Sequence, residues 1–286
     1  AINAGGDTDT IAAMAGACLG ACYGLNVIPV DSNRVVNIGE IEVSAKRIAA
    51  VSEKTSKQAA ADEGPKAAEN VHASFLIDRS GSMNGLVGDV IGGYNQFVEN
   101  QRNIQATGEC AFTAVQFDSH EPFKVIHDGT PIGSVPAMTS ADYQPRGLTP
   151  LFDALGNLIK TIEKRIAASI VPEDQIVVVF TDGMENASNE WTREALFKLI
   201  TEKENEGWTF NFMGANQDSY ETGRGLGFKH ENTSNFRGDG RGTKAAFDGV
   251  NRAMSEYRLL TPSQKMSRKA NFFNDIKEAE EDMRNR

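Results

Sequence analysis

VHASFLIDRSGS (residues 71–82) is a mostly apolar run that ends in Asp78 and continues into two serines around a glycine. A short apolar run of this kind is typical of a central, buried strand in a parallel sheet. QIVVVFTDG (175–183) repeats the pattern, and AFTAVQFD (111–118) and WTFNFMGA (208–215) predict two further strands. Amphipathic helices are predicted between and after the strands, at residues 86–102, 151–168, 190–205 and 244–258. This alternation predicts an α/β fold with a mostly parallel central sheet and helices on both of its faces.

The composition is that of an ordinary globular protein. Of the 286 residues, 40% are hydrophobic and 24% are charged, which excludes collagen-like and disordered chains. The net charge of −10 argues against a nucleic-acid partner, since nucleic-acid binders usually present a basic face. The three cysteines are too few for a disulfide framework, so we expect a reducing compartment and a cytoplasmic location.

The N-terminal part of the chain has a different texture. Residues 10–30 carry no charge, but they are rich in Ala and Gly, contain Pro29 and lack a basic flank. These features predict a buried helix of a soluble protein and no membrane span. The expected organisation is a short all-α segment at 1–57, a linker at 58–70, the α/β domain at 71–260 and a C-terminal amphipathic helix at 261–286.

Oxygen-bearing side chains follow the predicted strands at the points where the strands end. The first strand runs into one carboxylate and two hydroxyls, and the other long apolar strand ends in a second carboxylate. Between them, Thr149 precedes Pro150, which suits the first turn of a helix and places the Thr149 hydroxyl at a loop and cap position. Carboxyl ends of parallel strands meet at one edge of a sheet, where ligands bind. The candidate residues are Asp78, Ser80, Ser82, Thr149 and Asp182.

These side chains offer only hard oxygen donors, the kind that Mg²⁺ and Mn²⁺ prefer. Two carboxylates and three hydroxyls do not complete the shell of an ion that takes six ligands. A coordination position therefore stays open, and we expect a protein partner to fill it with the carboxylate of an Asp or Glu. Each segment alone also fits an ordinary turn or helix cap, but three such segments in order favour a metal site.

The segments DRSGS, GLTPLFDAL and FTDG together resemble the von Willebrand factor type A domain with its metal-ion-dependent adhesion site, over residues 71–260. The resemblance implies a Rossmann-like sheet in which Ser80, Ser82 and Thr149 lie near the ion. It also implies that Asp78 and Asp182 bind the ion directly or through water. Members of this family usually bind proteins through the ion and are not generally enzymes.

A second motif lies in AINAGGDTDTIAAMAGACLGACYGL (1–25), where acidic and hydroxyl groups cluster at the start of the uncharged helix. Helix capping is the simpler explanation, although capping needs only one of these groups. The segment resembles the late metal-binding motif of the ADP-ribosylglycohydrolase family, an all-helical fold that uses two Mg²⁺ ions. The resemblance implies that Asp7, Asp9 and Thr10 are ligands of a second metal site.

That family is much longer than residues 1–57, and its first metal-binding cluster lies upstream of this motif. We therefore expect that a hydrolase half precedes this chain or is supplied by another chain, or that the segment is a structural remnant. Two functions follow from the sequence. The favoured one is a divalent-metal-dependent protein-binding module, and the alternative is the C-terminal part of a Mg²⁺-dependent ADP-ribosyl hydrolase.

Overall fold

The computed structural model describes residues 69–169, 171–215, 219–229, 232–269 and 272. The chain divides into two units, Ala1–Gly64 and Pro65–Arg286, and every described residue belongs to the second unit. The predictions made for residues 1–57, including the candidate ligands Asp7, Asp9 and Thr10, therefore lie outside the described residues. The same holds for most of the predicted tail helix at 261–286.

A six-stranded sheet in the order β3-β2-β1-β4-β5-β6 organises the described unit. The strands are β1 (Asn70–Asp78), β2 (Cys110–Phe117), β3 (Lys124–Pro131), β4 (Glu173–Thr181), β5 (Thr209–Ala215) and β6 (Thr233–Phe236). All neighbouring strands pair in parallel except β2 and β3, which are antiparallel. The predicted α/β class with a mostly parallel sheet is confirmed.

Helices cover both faces of this sheet. The described helices are α1 (Val87–Asn103), α2 (Leu151–Ala168), α3 (Arg193–Asn205), α4 (Ser219–Gly225), α5 (Gly240–Leu259) and α6 (Pro262–Lys269). Because side chains alternate along a strand, β1 sends Phe75 and Ile77 to a core that includes Val90 of α1 and Val250 of α5. Leu76 points to the opposite core.

The opposite core includes Leu155 of α2 and Ile200 of α3. Trp208, Phe210 and Phe212 also belong to it, so the three rings lie on one face of the sheet. The helices predicted at 190–205 and 244–258 start instead at Arg193 and Gly240, where side-chain caps fix their starts. Thr192 accepts a hydrogen bond from the Ala195 N–H at the start of α3, and Asp239 accepts one from the Gly242 N–H at the start of α5.

Candidate metal centre

The candidate site lies at the carboxyl ends of β1 and β4, two neighbouring parallel strands. Asp78 is the last residue of β1, and Asp182 directly follows the end of β4. From β1 the chain continues to β2 on one side, and from β4 it continues to β5 on the other. The site is therefore at the topological switch point, where open α/β sheets bind ligands.

The loop after β1 turns back on the carboxylate from which it starts. Asp78 Oδ1 accepts a 2.7 Å hydrogen bond from the backbone N–H of Ser80. The Oγ atoms of Ser80 and Ser82 lie 3.0 Å apart, within hydrogen-bonding distance. The Gly81 N–H donates to the Gly147 carbonyl at 3.1 Å, which joins this loop to the segment that carries Thr149.

Two hydrogen bonds connect this loop to the end of β4. Ser82 Oγ donates to Asp182 Oδ1 at 2.6 Å, and Thr181 Oγ1 donates to Asp78 Oδ2 at 2.5 Å. The structure thus links four of the five candidate residues in one hydrogen-bonded chain. Asp78, Ser80 and Thr149 are buried, whereas Ser82 is exposed and Asp182 is half-buried, so the group is reached from solvent on one side.

Thr149 and two of the other candidates lie close to Gly183. A Cβ atom placed on Gly183 would lie 2.9 Å from Thr149 Oγ1, 3.4 Å from Asp78 Oδ2 and 3.5 Å from Ser82 Oγ. Three oxygens from two segments, the end of β1 with its loop and the loop before α2, therefore converge on a point of a third loop that carries no side chain. All five residues selected from the sequence are brought together, and their oxygen set fits a small divalent cation.

Thr149 itself is held by a second loop. Its N–H donates to Asn186 Oδ1 at 2.8 Å, and its carbonyl accepts from the Asn186 N–H at 3.2 Å. The expectation that Pro150 lies in the first helical turn is wrong by one residue. Helix α2 begins at Leu151, Pro150 is its N-cap residue, and no side chain caps from that position. Thr149 is therefore not a helix cap.

Side chains of the loop after β4 cap the N-terminus of α2. The Phe152 N–H donates to Glu185 Oε2 at 2.9 Å, and the Asp153 N–H donates to Ser188 Oγ at 3.1 Å. The first N–H groups of a helix need partners of this kind because they have none inside the helix. These bonds fix the position of α2 against the residues that follow Asp182.

Sequence reasoning missed two supporting contacts. Thr181, which bonds Asp78, carried no separate signal because it lies within an apolar run. Asp118 directly follows β2 as Asp182 follows β4, yet it does not join the site. It pairs instead with the buried Arg79, whose Nε donates to Asp118 Oδ2 at 2.7 Å. Arg79 thereby anchors the loop between Asp78 and Ser80 from behind.

Burial places both site carboxylates in a poor environment for negative charge. It raises the pKa of Asp78 from 3.8 to about 6; hydrogen bonds from Thr181 and Ser80 oppose this rise, and the charge of Asp182 adds to it. Burial also raises the pKa of Asp182, against the hydrogen bond from Ser82. A cation between these groups would favour their charged forms.

The site depends on hydroxyls as much as on carboxylates. Within the described ranges, no group of three or more His, Cys, Asp or Glu side chains is placed to hold a metal ion. The donor set expected from the sequence has two carboxylates and three hydroxyls, and no Cys or His. None of the helices in the described part is long and apolar enough to cross a membrane.

Comparisons with known proteins found one matching family model and several similar solved structures. Residues 1–58 match the family model of ADP-ribosylglycohydrolase. The chain is similar to the open conformation of the pilus adhesin SpaC from Lactobacillus rhamnosus GG, with 11% identity, a TM-score of 0.52, and coverage of 68% of this chain and 31% of that one. This similarity shows a shared fold. No curated protein sequence matches the chain.

Two further solved structures are similar. A von Willebrand factor type A structure from Catenulispora acidiphila has 15% identity and a TM-score of 0.44, with 66% of this chain and 43% of that one covered. The proximal thread matrix protein 1 of the mussel byssus, with a zinc-occupied MIDAS motif, has 15% identity and a TM-score of 0.46, with 66% and 46% covered. This chain spans less than half the length of each of the three structures. Both resemblances expected from the sequence are found.

Proposed function

We propose that the described unit is a divalent-metal-dependent protein-binding module. In this proposal Asp78, Ser80, Ser82, Thr149 and Asp182 hold Mg²⁺ or Mn²⁺, directly or through water. The bound ion supplies a positive charge and an open coordination position to a partner. The observation that carries the proposal is the convergence of the Asp78, Ser82 and Thr149 oxygens, from two segments, on Gly183 of a third.

The chemistry of the open position indicates the group that fills it. Magnesium prefers six oxygen ligands in octahedral geometry, and the five candidate residues leave at least one position to water or to a partner. Ser82 is exposed and Asp182 is half-buried, so this position faces solvent. A carboxylate from Asp or Glu of a partner protein is a hard oxygen ligand that suits it.

Calorimetric titration with Mn²⁺ tests the site. Asp182→Ala removes a carboxylate that is half-buried and lies outside the strand, so we expect a folded protein with at least a tenfold loss of Mn²⁺ affinity. Asp248→Ala is the matched control, because Asp248 is a partly exposed aspartate on α5 paired with Lys244. An unchanged Mn²⁺ affinity of the Asp182 variant would falsify the site assignment.

A capture experiment tests whether a partner protein binds through the metal. In the presence of Mg²⁺, immobilised protein is expected to retain a binding protein that is released by chelator and is not retained by the Asp182 variant. Mass spectrometry of the eluates then identifies it. Retention that is equal with Mg²⁺, with chelator and with the variant would show that binding does not use the metal.

The alternative function concerns the other unit, and the family-model match at residues 1–58 supports it. In this alternative, Asp7, Asp9 and Thr10 are the late metal ligands of an ADP-ribosyl hydrolase, and an upstream or separate half supplies the others. Release of ADP-ribose from a modified protein in the presence of Mg²⁺ is the test. Activity that requires the other half and is lost on Asp9→Ala would favour the hydrolase, whereas activity of this chain alone would overturn the expectation that its site is incomplete.

We infer a cytoplasmic location from the small number of cysteines. Cys110, the cysteine in the described part of the chain, is buried and free. Buried, unoxidised thiols are typical of reducing compartments.

A further inference from the structure

Two large apolar side chains adjoin the candidate metal centre and remain exposed. Leu148 directly precedes Thr149 and is 53% exposed, and Met184 directly follows Gly183 and is 67% exposed. Met184 is the most exposed large apolar side chain among the residues that the structure describes. An apolar group exposed at a ligand-facing edge is a sign of a contact surface, whereas single exposed residues elsewhere are ordinary.

The backbone under Leu148 is fixed. Its N–H donates to Ser119 Oγ at 2.9 Å, and its carbonyl accepts from the Ser119 N–H at 3.0 Å. Gly147, just before it, has a φ of 68° and lies so close to Ser119 and His120 that a Cβ would meet them at 2.5 and 2.6 Å. Leu148 is therefore exposed by a defined backbone conformation.

The backbone on both sides of Met184, in the loop after β4, is also fixed. On one side, the Gly183 N–H donates to Thr181 Oγ1 at 3.1 Å. On the other side, the Glu185 carboxylate accepts the Phe152 N–H of α2 at 2.9 Å and the Ser188 N–H at 2.7 Å. The residues on either side of Met184 are thus bonded to the body of the domain while its own side chain points to solvent.

Leu148 and Met184 adjoin the same point of the site, and together they are called the rim here. Thr149 and Gly183, their direct neighbours in the chain, approach so closely that a Cβ on Gly183 would be 2.9 Å from Thr149 Oγ1. Charged groups beside this rim already have partners. Arg146 pairs with Asp118 at 3.2 Å, and Glu185 accepts backbone N–H groups. The rim therefore offers exposed apolar surface beside charged groups that already have partners within the domain.

We propose that Leu148 and Met184 select the partner, by packing against a large apolar side chain that neighbours the acidic residue bound by the metal. The proposal rests on the proposed function, because the metal is what brings the acidic residue to this edge. A carboxylate alone gives little discrimination, since every soluble protein carries many. An adjacent apolar contact supplies the difference in affinity on which specificity depends.

Three capped tripeptides serve as probes of the Mn²⁺-loaded full chain. They are acetyl-Leu-Asp-Phe-amide, acetyl-Gly-Asp-Gly-amide and acetyl-Leu-Asn-Phe-amide, and their affinities are measured by NMR titration. We expect the first to bind about tenfold more tightly than the second, since this corresponds to only about 1.4 kcal/mol and a few buried methylenes supply it. The asparagine peptide is expected to bind weakly because it lacks the charged ligand.

The double variant Leu148→Ser, Met184→Ser tests the two residues directly. Both side chains are exposed, so the variant is expected to fold and to keep the Mn²⁺ affinity of the native protein. The two aspartate peptides should then bind it within about twofold of each other, with the glycine-flanked peptide unaffected. The matched control is Leu259→Ser, Met266→Ser, because these two side chains are 63% and 46% exposed and lie on α5 and α6.

The outcomes separate this proposal from the one on which it rests. Equal affinities of the two aspartate peptides for native protein, or an unchanged preference in the double variant, would overturn the apolar rim and leave the metal-dependent function standing. Failure of both aspartate peptides to bind Mn²⁺-loaded protein would overturn the function and the rim together. A loss of Mn²⁺ affinity in the double variant would assign these residues to the metal centre and overturn their role in selection.

Discussion

Gly183 presents a hydrogen atom to Thr149, Asp78 and Ser82 at a point where any other residue would place a carbon. In Gly183→Ala the new methyl group would lie 2.9 Å from Thr149 Oγ1, closer than normal contact. We expect the domain to fold and its Mn²⁺ affinity to fall by about tenfold or more, the equivalent of about 1.4 kcal/mol. Calorimetric titration with Mn²⁺ measures this change.

Gly92→Ala is the control for that substitution. Gly92 lies on α1, and a Cβ there would have no neighbour within 4 Å. Alanine favours a helix over glycine by about 1 kcal/mol, so this variant is expected to gain stability and to bind Mn²⁺ unchanged. Equal affinities of both variants would mean that the space at Gly183 does not receive the ion.

His72 is buried within the sheet and governs a different property, the dependence of stability on pH. Its Nδ1 lies 2.8 Å from Gln175 Oε1 and its Nε2 lies 2.8 Å from Thr113 Oγ1. Burial lowers the pKa of His72 from 6.5 to about 4, with the charge of Arg165 contributing and the Gln175 hydrogen bond opposing. Below pH 6.5 the unfolded chain therefore binds a proton that the folded chain rejects.

We expect the free energy of unfolding to decrease as pH falls from about 6.5 to about 4, with a contribution of about 3 kcal/mol from His72. Urea denaturation followed by tryptophan fluorescence, with chelator present, measures it. The raised pKa of Asp78 acts in the opposite direction between about pH 6 and 4, but it is common to the native protein and to His72→Gln. The difference in slope between these two proteins isolates His72.

His120→Gln removes a histidine whose side chain is 62% exposed and serves as the control. Its stability is expected to fall with pH as steeply as that of the native protein. If His72→Gln also kept the full slope, the acid sensitivity would belong to other groups.

Some residue-scale features could be predicted and others could not. Asp78 and Asp182 were identifiable because a carboxylate at the end of an apolar run is conspicuous in sequence. Thr181 and Asn186 were not, because a hydroxyl or an amide gains its role only from the neighbour that the fold brings to it. The same reason explains Asp118, which directly follows its strand as Asp182 does but is paired with Arg79.

At the scale of elements, the N-terminus of α2 connects the two halves of the candidate site. The buried Asp153 carboxylate accepts the N–H groups of Asn189, Glu190 and Trp191 at 2.8, 2.9 and 2.8 Å. Asp153→Asn would place an amide N–H₂ group against one of these donors. We expect a loss of about 1–3 kcal/mol in the free energy of unfolding, the usual cost of an unsatisfied buried donor.

Urea denaturation of Asp153→Asn and of Asp248→Asn measures this effect. Asp248 lies on α5 with its side chain 39% exposed, so its substitution is expected to change stability by less than about 0.5 kcal/mol. A similar small change at Asp153 would mean that the three N–H groups find other partners.

The central strands and the main helices were predictable, whereas the edges of the sheet were not. Buried parallel strands such as β1 and β4 consist of continuous apolar runs that stand out in the sequence. Strand β3 was missed because it is a partly exposed edge strand containing Gly129 and ending at Pro131, residues that usually indicate a turn. Strand β6 is short and includes Ser234 and Asn235, so its pairing with β5 carries no sequence pattern.

At the scale of the whole molecule, the chain joins two segments with different similarities. Residues 1–58 match a hydrolase family model, and the described unit is similar in fold to part of a pilus adhesin. Each segment carries its own candidate metal ligands, so binding of metal to the whole chain does not by itself say which segment binds. Both tryptophans of the chain, Trp191 and Trp208, lie in the described unit, and their fluorescence therefore reports on that unit alone.

Because tryptophan fluorescence reports on the described unit, a change in the Tm that it detects assigns metal binding to that unit. A ligand held only by the folded state stabilises it by about 2.7 kcal/mol at one hundred times its Kd. For a domain of this size that free energy corresponds to a rise in Tm of roughly 5–10 °C. We expect this rise in the tryptophan-detected Tm on adding Mg²⁺ or Mn²⁺ to the full chain, and its reversal by chelator. Asp182→Ala should abolish the rise, whereas Asp9→Ala should leave it intact. A rise that survived Asp182→Ala would place the stabilising ion elsewhere in the unit.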